Sequence, residues 1–194
     1  MMSVDCIITA AGLSSRMGKW KMMLPLRDGT ILDASIENAL QFCSRIILVT
    51  GYRAEALQAR YRHQESVTLV HNPDYEKGML GSVIAGARAV KTEYCFITTG
   101  DLPCLHGDVY RELWALRAEG ALLPHYLGTP GHPVLVDKNS LLQAIARPDI
   151  RTMRQALMQG KHHSVSLERP EIIFDIDTPD DFRKLQLLVK KSSA

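Results

Sequence analysis

Short runs of β-branched and other apolar residues alternate along the chain with stretches whose apolar residues recur every three or four positions. The first pattern predicts buried strands and the second amphipathic helices. Residues 31–42 show the helical pattern on one face, formed by Leu32, Ile36, Ala39 and Leu40. Strands or extended segments are predicted at 4–9, 45–50, 67–70, 94–99, 122–127, 133–136, 164–167 and 172–175. Helices are predicted at 31–42, 54–61, 79–90, 108–119, 140–146, 152–159 and from Asp180 onwards.

Strands that alternate with helices predict an α/β fold in three layers, with a mostly parallel sheet and helices on both faces. The second half is less regular, which also fits a small antiparallel extension packed on that sheet. No internal repeat or low-complexity linker divides the chain, so we expect one domain over residues 1–194. In such a sheet, ligands bind beyond the carboxyl ends of the strands, and functional residues are expected there.

The composition excludes two classes of partner. The 194 residues carry a formal net charge of +2, with basic residues spread along the chain, which argues against bulk nucleic-acid binding. No apolar run approaches the roughly 20 residues of a membrane span. The first ten residues contain Asp5 and no basic residue, unlike a signal peptide, and the four cysteines form no CxxC pair. We therefore expect reduced thiols and a cytoplasmic location.

The loop after the first predicted strand has the composition of a phosphate site. Small residues let backbone N–H groups approach an anion, and basic side chains add positive charge. The alternative is an ordinary turn with solvated basic residues. The loop matches neither GxGxxG nor GxxxxGK(S/T), so it must hold phosphates in another way. The residues concerned are Ala10, Ala11, Gly12, Ser14, Arg16 and Lys21.

A carboxylate follows another predicted strand. Gly100 and Asp101 come directly after strand 94–99. Mg2+ prefers one or two carboxylates together with water and substrate phosphates, so Asp101 suffices for one side of such a site. The alternative for Asp101 is a turn or a cap.

The third candidate segment begins at Asp175. Alternation along the predicted strand puts Asp175 and Asp177 on the same face. Thr178 and Pro179 are suited to cap and begin the closing helix. Because this helix start does not require Asp177, that residue is available as a second metal ligand.

Four stretches resemble the MobA-like nucleotidyltransferases, and within them most closely the molybdenum cofactor cytidylyltransferases. They are AAGLSSRMGKWK at 10–21, GDLP at 100–103, GHPVL at 131–135 and DIDTPDDF at 175–182. Residues 72–79, followed by Ser82, also match that branch. The matches occur in the family's order from Ala10 to Phe182. The first motif is specific, whereas GDLP and DTP are informative only together.

The resemblance implies a Rossmann-like nucleotidyltransferase fold and a Mg2+-dependent transfer of a nucleotide from an NTP to a phosphorylated acceptor, with release of pyrophosphate. The first loop would bind the NTP phosphates together with Gly100. Arg16, Lys21 and Asp101 would be the catalytic residues, and Asp101 and Asp177 would hold the metal.

The resemblance also implies the positions of both substrates. Gly78 and Ser82 would lie near the base and ribose, and Gly131, His132 and Pro133 near the acceptor. The Ala-Ala-Gly form of the first loop goes with cytidine in this family, so CTP is the expected donor. The expected acceptor is the molybdopterin cofactor, and a molybdoenzyme or its chaperone is the implied protein partner.

The sequence departs from the branch's pattern in two places, and the second departure leaves the acceptor open. Gly81 stands where the branch often has a serine. Residues 148–154 lack both glycines of the branch's Gly-Asp-x-Gly-x-Arg stretch, so this loop cannot approach a ligand in the same way. The alternatives are a sugar-phosphate or alditol-phosphate nucleotidyltransferase, and a non-catalytic nucleotide- or pterin-binding accessory protein for molybdoenzyme maturation.

Overall fold

A computed structural model describes residues 3–192. The single domain was predicted over residues 1–194, of which residues 1, 2, 193 and 194 lie outside the described part. The strands are β1 (Asp5–Thr9), β2 (Pro25–Leu26), β3 (Gly29–Thr30), β4 (Arg45–Thr50), β5 (Val67–His71), β6 (Tyr94–Thr99), β7 (Ala121–Tyr126), β8 (Thr129–Pro130), β9 (Val134–Asp137) and β10 (His162–Ser166). The helices are α1 (Ile31–Leu40), α2 (Ala54–Tyr61), α3 (Met79–Ala87), α4 (Gly107–Ala115), α5 (Lys138–Ile145), α6 (Met153–Met158) and α7 (Pro179–Ser192).

The main sheet has the strand order β10-β7-β9-β6-β1-β4-β5, with β8 paired to β7. β1 pairs in parallel with β4 and β6, β4 with β5, and β7 with β10. β9 is antiparallel to β6 and β7. The prediction of a mostly parallel sheet is therefore confirmed. The chain builds β4 and β5 on one side of β1 and returns with β6 on the other, which creates the switch point where ligands bind.

Helices cover both faces of this sheet, which confirms the three layers. α1, α2 and α4 pack around Ile8 on one face, and α3, α5 and α6 pack around Ile7 on the other. Neighbouring residues of a strand point to opposite faces, so both sides of β1 are apolar and all five of its residues are buried. A third cluster joins the first loop and the β2–β3 hairpin to α7; it contains Met17, Leu26, Ile31, Ile176 and Leu185.

The prediction of a strand at 172–175 is wrong. The chain forms a 3-10 helix at Pro170–Ile173 instead. Pro170 has no N–H to donate to a strand ladder and suits the first turn of a helix. The carbonyl of Ile172 accepts a hydrogen bond from the backbone N–H of His132 at 2.9 Å, outside any strand ladder. Strand alternation therefore does not explain how Asp175 and Asp177 are placed.

Other differences concern where elements end and join. Three helices predicted at 31–42, 79–90 and 108–119 end earlier, at Leu40, Ala87 and Ala115. The antiparallel strand β9 is inserted into the main sheet rather than packed on it as an extension. The β2–β3 hairpin was not predicted, because each of its strands has two residues and carries no readable period.

The predicted start of the closing helix is confirmed. α7 begins at Pro179, the N–H of Asp181 donates to Thr178 Oγ1 at 3.2 Å, and the N–H of Thr178 donates to Asp181 Oδ2 at 2.9 Å. This reciprocal pair satisfies backbone donors that the first helical turn leaves free. Within residues 3–192, no helix combines the length and the apolar character that crossing a membrane requires.

Candidate functional site

The pairing of β1 with β6 brings two of the candidate segments together. Thr9 and Thr99 are partners in the parallel register, so the first loop and Asp101 leave the sheet at the same edge. The N–H of Gly100 continues the ladder by donating to the carbonyl of Thr9 at 3.0 Å. The backbone N–H of Ile176 then donates to the carbonyl of Asp101 at 3.0 Å. This bond fixes Asp177 beside the same strand end.

The first loop folds back so that Lys21 returns to the end of β1. Ser14 adopts a left-handed conformation with φ 56°, and its Oγ accepts a hydrogen bond from the backbone N–H of Lys21 at 3.2 Å. Two 3-10 helices follow, Ser15–Met17 and Lys21–Met23. The buried side chains of Met17 and Met22 anchor them.

Two cations and two carboxylates meet at this edge. Lys21 Nζ lies 2.5 Å from Asp101 Oδ2 and 2.7 Å from Asp177 Oδ1. Arg16 Nη2 lies 2.5 Å from Asp177 Oδ2, although the Arg16 side chain is 71% exposed. The Lys21 and Asp101 side chains are only 11% and 9% exposed. The Lys21 pairs are therefore less screened by solvent than the Arg16 pair.

Asp175 completes an acidic cluster with Asp101 and Asp177. Ligand oxygens of the three carboxylates lie within 4.8 Å of one another. Asp101 Oδ1 is buried and has no hydrogen-bond partner among the described residues. An unpaired buried carboxylate oxygen is costly, and a cation at this position would satisfy it. Three carboxylates provide the oxygen ligands that a hard divalent cation prefers.

The protonation of this cluster depends on its neighbours. Burial would lower the pKa of Lys21, but Asp101 and Asp177 outweigh burial and raise it, so the ammonium stays charged. Burial would likewise raise the pKa of Asp177, yet its contact with Lys21 holds that pKa below the usual value. Asp175 has no such cation, and its burial, with Asp177 and Asp101 alongside, raises its pKa to about 6.

A cavity of about 200 Å3 opens beside the Lys21–Asp101 pair. Its lining comes from the first loop, the end of β6 and the start of α3, and includes Ala11, Gly12, Lys21, Gly78, Ser82 and Asp101. Gly78 adopts φ 108° and ψ 177°, a backbone conformation that is essentially restricted to glycine. Buried Ser82 Oγ accepts a hydrogen bond from Asn72 Nδ2 at 3.0 Å. The Ser82 hydroxyl hydrogen is therefore free to point elsewhere, including into the cavity.

The other predicted nucleotide-binding residues lie around this cavity rather than in its lining. Ala10 is buried and its N–H donates to Val49. Gly100 allows close packing, because a Cβ there would lie 2.7 Å from Leu32 Cδ1. Ser14 shapes the loop, and Arg16 projects outward and contacts Asp177.

A second cavity, of about 130 Å3, contains two of the predicted acceptor residues. Gly131 and His132 line it, whereas Pro133 does not. Met79 lines both cavities, so the two are neighbours. Position 131 requires a glycine because the backbone of Ile172 approaches it closely: a Cβ on residue 131 would lie 2.8 Å from the carbonyl oxygen of Ile172. Burial lowers the pKa of His132, which keeps its imidazole neutral.

Sequence reasoning missed several residues of the site. Asp175 was placed beside Asp177 but was not assigned as a metal ligand, although its position two residues earlier was a usable signal. Tyr75 lines the first cavity and Asn72 holds Ser82, and both belong to the stretch 72–79 that matched the family pattern. Arg154 lines the second cavity but was given no role, although it lies in residues 148–154, the stretch that was compared with the branch's Gly-Asp-x-Gly-x-Arg pattern.

Comparison with known proteins gives a consistent result. Residues 6–165 match the MobA-like NTP transferase domain. The chain is 63% identical over 182 residues to the molybdenum cofactor cytidylyltransferase of Escherichia coli (strain K12), covering 94% of this chain and 95% of that protein.

Solved structures show the same fold. A nucleotidyl transferase from Methanothermobacter thermautotroptrophicus superposes with a TM-score of 0.82 at 20% identity, covering 98% of this chain and 99% of that one. A protein of Mycobacterium tuberculosis H37Rv in complex with manganese superposes with a TM-score of 0.70 at 23% identity, covering 95% of this chain and 98% of that one. From the domain match and the extent of identity, the chain belongs to the MobA-like NTP transferase family.

Proposed function

We propose that this protein transfers CMP from CTP to the phosphate group of the molybdopterin cofactor and releases pyrophosphate. The contact of Lys21 with Asp101 and Asp177, at the edge of a cavity whose lining includes Gly12, Gly78 and Ser82, is the observation that carries this proposal. The identity to a relative named as a molybdenum cofactor cytidylyltransferase supports the choice of donor and acceptor. In this proposal residues 1–194 act as one domain, supported by the single main sheet that extends from β5 to β10.

The proposed reaction is an in-line displacement at phosphorus. An oxygen of the acceptor phosphate attacks the α-phosphorus of CTP and forms a new phosphoanhydride bond. The bond from the α-phosphorus to the α,β-bridging oxygen breaks, and pyrophosphate leaves with that electron pair. The attacking phosphate is already ionised at neutral pH, so no general base is needed. The protein contributes positioning and charge stabilisation instead.

Lys21 and Arg16 are the proposed source of positive charge. The carboxylates keep the Lys21 ammonium charged and hold it at the edge of the cavity where the triphosphate would lie. Arg16 is exposed on the same loop and can add a forked contact to the outer phosphates. In this proposal the phosphate loop is formed or supported by Ala10, Ala11, Gly12, Ser14 and Gly100. Gly78 and Ser82 would lie next to the base and ribose.

Mg2+ is the proposed cofactor, with Asp101 and Asp177 as its protein ligands and Asp175 beside them. The unpartnered buried oxygen of Asp101 and the close approach of the three carboxylates fit a hard cation. When bound, Mg2+ would neutralise phosphate charge and polarise the α-phosphorus. Gly131, His132 and Pro133 are assigned to the acceptor side. A molybdoenzyme or its chaperone would receive the product in the cytoplasm.

The test is pyrophosphate release with Mg2+ and each NTP in turn, with and without molybdopterin cofactor. We expect release with CTP, and only when the cofactor is present. Release with a sugar phosphate or alditol phosphate in its place would move the protein to another acceptor. CTP binding without release under any of these conditions would indicate the accessory role instead.

A further inference from the structure

The second cavity has a mostly apolar lining. It lies between the end of β6, the strands β7 and β9, and the helices α3 and α6, with Met79, Val83, Leu123 and Leu157 among its walls. Its volume of about 130 Å3 is below the roughly 300–1,000 Å3 of sites that enclose a whole drug-sized molecule. It can therefore enclose one apolar-faced part of a ligand, such as a ring, and leave the remainder at its mouth.

His132 provides a hydrogen-bond acceptor in this lining. Its Nδ1 lies 3.4 Å from the backbone carbonyl oxygen of Ile97. A carbonyl oxygen can only accept, so Nδ1 carries the proton in this contact, and the neutral ring leaves Nε2 as an acceptor. No residue of the described chain hydrogen-bonds to Nε2. The cavity thus suits a ring that presents an N–H group.

Arg154 provides a positive charge in the same lining. It is exposed, which places its guanidinium at the mouth of the cavity, on helix α6. Within residues 3–192 its side chain makes no hydrogen bond and no ion pair. Lys21 and Arg16, in contrast, already contact carboxylates. Arg154 is therefore a cation near the two cavities whose charge is not neutralised by any residue that the structure describes.

We propose that Arg154 binds the phosphate group of the acceptor while the acceptor's ring lies in the second cavity against His132. This inference rests on the proposed function, because it names the group that holds that reaction's second substrate. Met79 lines both cavities, so an acceptor bound in the second one would lie next to a nucleotide in the first. The guanidinium group of an arginine can donate two parallel hydrogen bonds to two oxygens of a phosphate monoester.

The experiment compares Arg154→Ala, Arg154→Lys and Arg151→Ala with the unsubstituted protein. Arg151 is a matched control, because it is also exposed, lies three residues earlier and does not line the cavity. Two quantities are measured for each protein: the KM values for molybdopterin cofactor and for CTP in pyrophosphate release, and the direct binding of the cofactor without nucleotide. A thermal melt checks folding.

For Arg154→Ala we expect the KM for the cofactor to rise about ten-fold to a hundred-fold, as for the loss of a charged hydrogen bond, with the KM for CTP and the melting temperature unchanged. Arg154→Lys should recover part of the loss, and Arg151→Ala should match the parent. Normal turnover with an unchanged cofactor KM in Arg154→Ala would overturn the inference and leave the proposed function standing. If the parent protein binds the cofactor through Arg154 but shows no turnover, the inference stands and the proposed function is overturned. A parent that neither binds nor uses it would overturn both.

Discussion

The ammonium of Lys21 lies between Asp101 Oδ2, at 2.5 Å, and Asp177 Oδ1, at 2.7 Å, although these carboxylates are 80 and 156 residues away in sequence. The same two carboxylates are the proposed ligands of Mg2+. The Lys21 ammonium and a metal ion would compete for the same carboxylate oxygens and repel each other. We therefore expect the Lys21 side chain to turn toward the triphosphate when metal and nucleotide bind. The ion pair would then serve to keep Lys21 charged and close to that position.

Removal of the Lys21 ammonium should abolish transfer and preserve the fold. We expect Lys21→Ala to lower kcat by about 100-fold or more, the scale of losing one preorganised contact to transition-state charge. Pyrophosphate release measures the rate, and circular dichroism with a thermal melt measures folding. Lys19→Ala is the matched control, because Lys19 is exposed on the same loop. Near-normal turnover in Lys21→Ala would contradict the assignment.

Loss of one carboxylate oxygen at Asp101 should weaken metal binding specifically. Asp101→Asn keeps the size of the side chain and removes its charge, so a divalent cation loses its strongest ligand type here. We expect the Mg2+ concentration for half-maximal activity to rise at least about ten-fold, and Mn2+ binding followed by electron paramagnetic resonance to weaken in parallel. Asp180→Asn changes an exposed carboxylate outside the cluster and should leave both quantities unchanged. Equal metal affinity in Asp101→Asn and the parent would remove Asp101 from the metal site.

The backbone conformation of Gly78 should be required for nucleotide binding. Gly78 has φ 108°, and an added Cβ would meet no atom within 4 Å, so Gly78→Ala tests backbone conformation without a clash. Gly128 has φ 80° and equally open space, but it lies in the turn between β7 and β8. We expect both alanine variants to lose about 1–3 kcal/mol of unfolding free energy. Only Gly78→Ala should also raise the KM for CTP, and an equal KM in the two variants would place Gly78 outside the site.

Much of the fold follows from the chain's hydrophobic pattern. β1, β4 and β6 lie inside the sheet, so their sequences are rich in apolar and β-branched residues, and all three were predicted within one residue. The segment 172–175 is also largely apolar, yet its first two residues belong to the 3-10 helix Pro170–Ile173, where neighbouring backbone groups take their hydrogen bonds. Local composition records how apolar a segment is. It does not record which partner its backbone finds.

The candidate site was partly predictable for a related reason. Segments that leave adjacent parallel strands, such as the first loop after β1 and Asp101 after β6, can be inferred to meet once the sheet order is assumed, because parallel strands end at one edge. Lys21 reaches that edge only because the first loop folds back. Arg154 lies on a short helix far along the chain, and its approach to the second cavity depends on how α6 packs against β7. No periodicity carries that information.

Acid should remove a specific part of the fold's stability through Asp33. Burial would raise the pKa of Asp33, but its contacts with Arg60, Tyr61 and Thr30 outweigh burial and hold that pKa at about 2, against about 3.9 in an unfolded chain. A carboxyl group whose pKa is lower in the folded state stabilises that state above the unfolded pKa, and the contribution is lost as the pH falls from about 4 to 2.

Asp33→Asn should therefore unfold more easily than the parent by about 2 kcal/mol at pH 7, and the difference should shrink as the pH approaches 2. Urea denaturation at pH 7, 4 and 2.5 measures this. Asp28→Asn is the control, because Asp28 is exposed on the neighbouring hairpin. As the pH approaches 2, the Asp33 carboxyl group of the parent becomes protonated and, like asparagine, uncharged, so a difference caused by charge must shrink. A gap between Asp33→Asn and the parent that stays constant over this range would instead show that Asp33 acts through the geometry of its hydrogen bonds in the capping of α1.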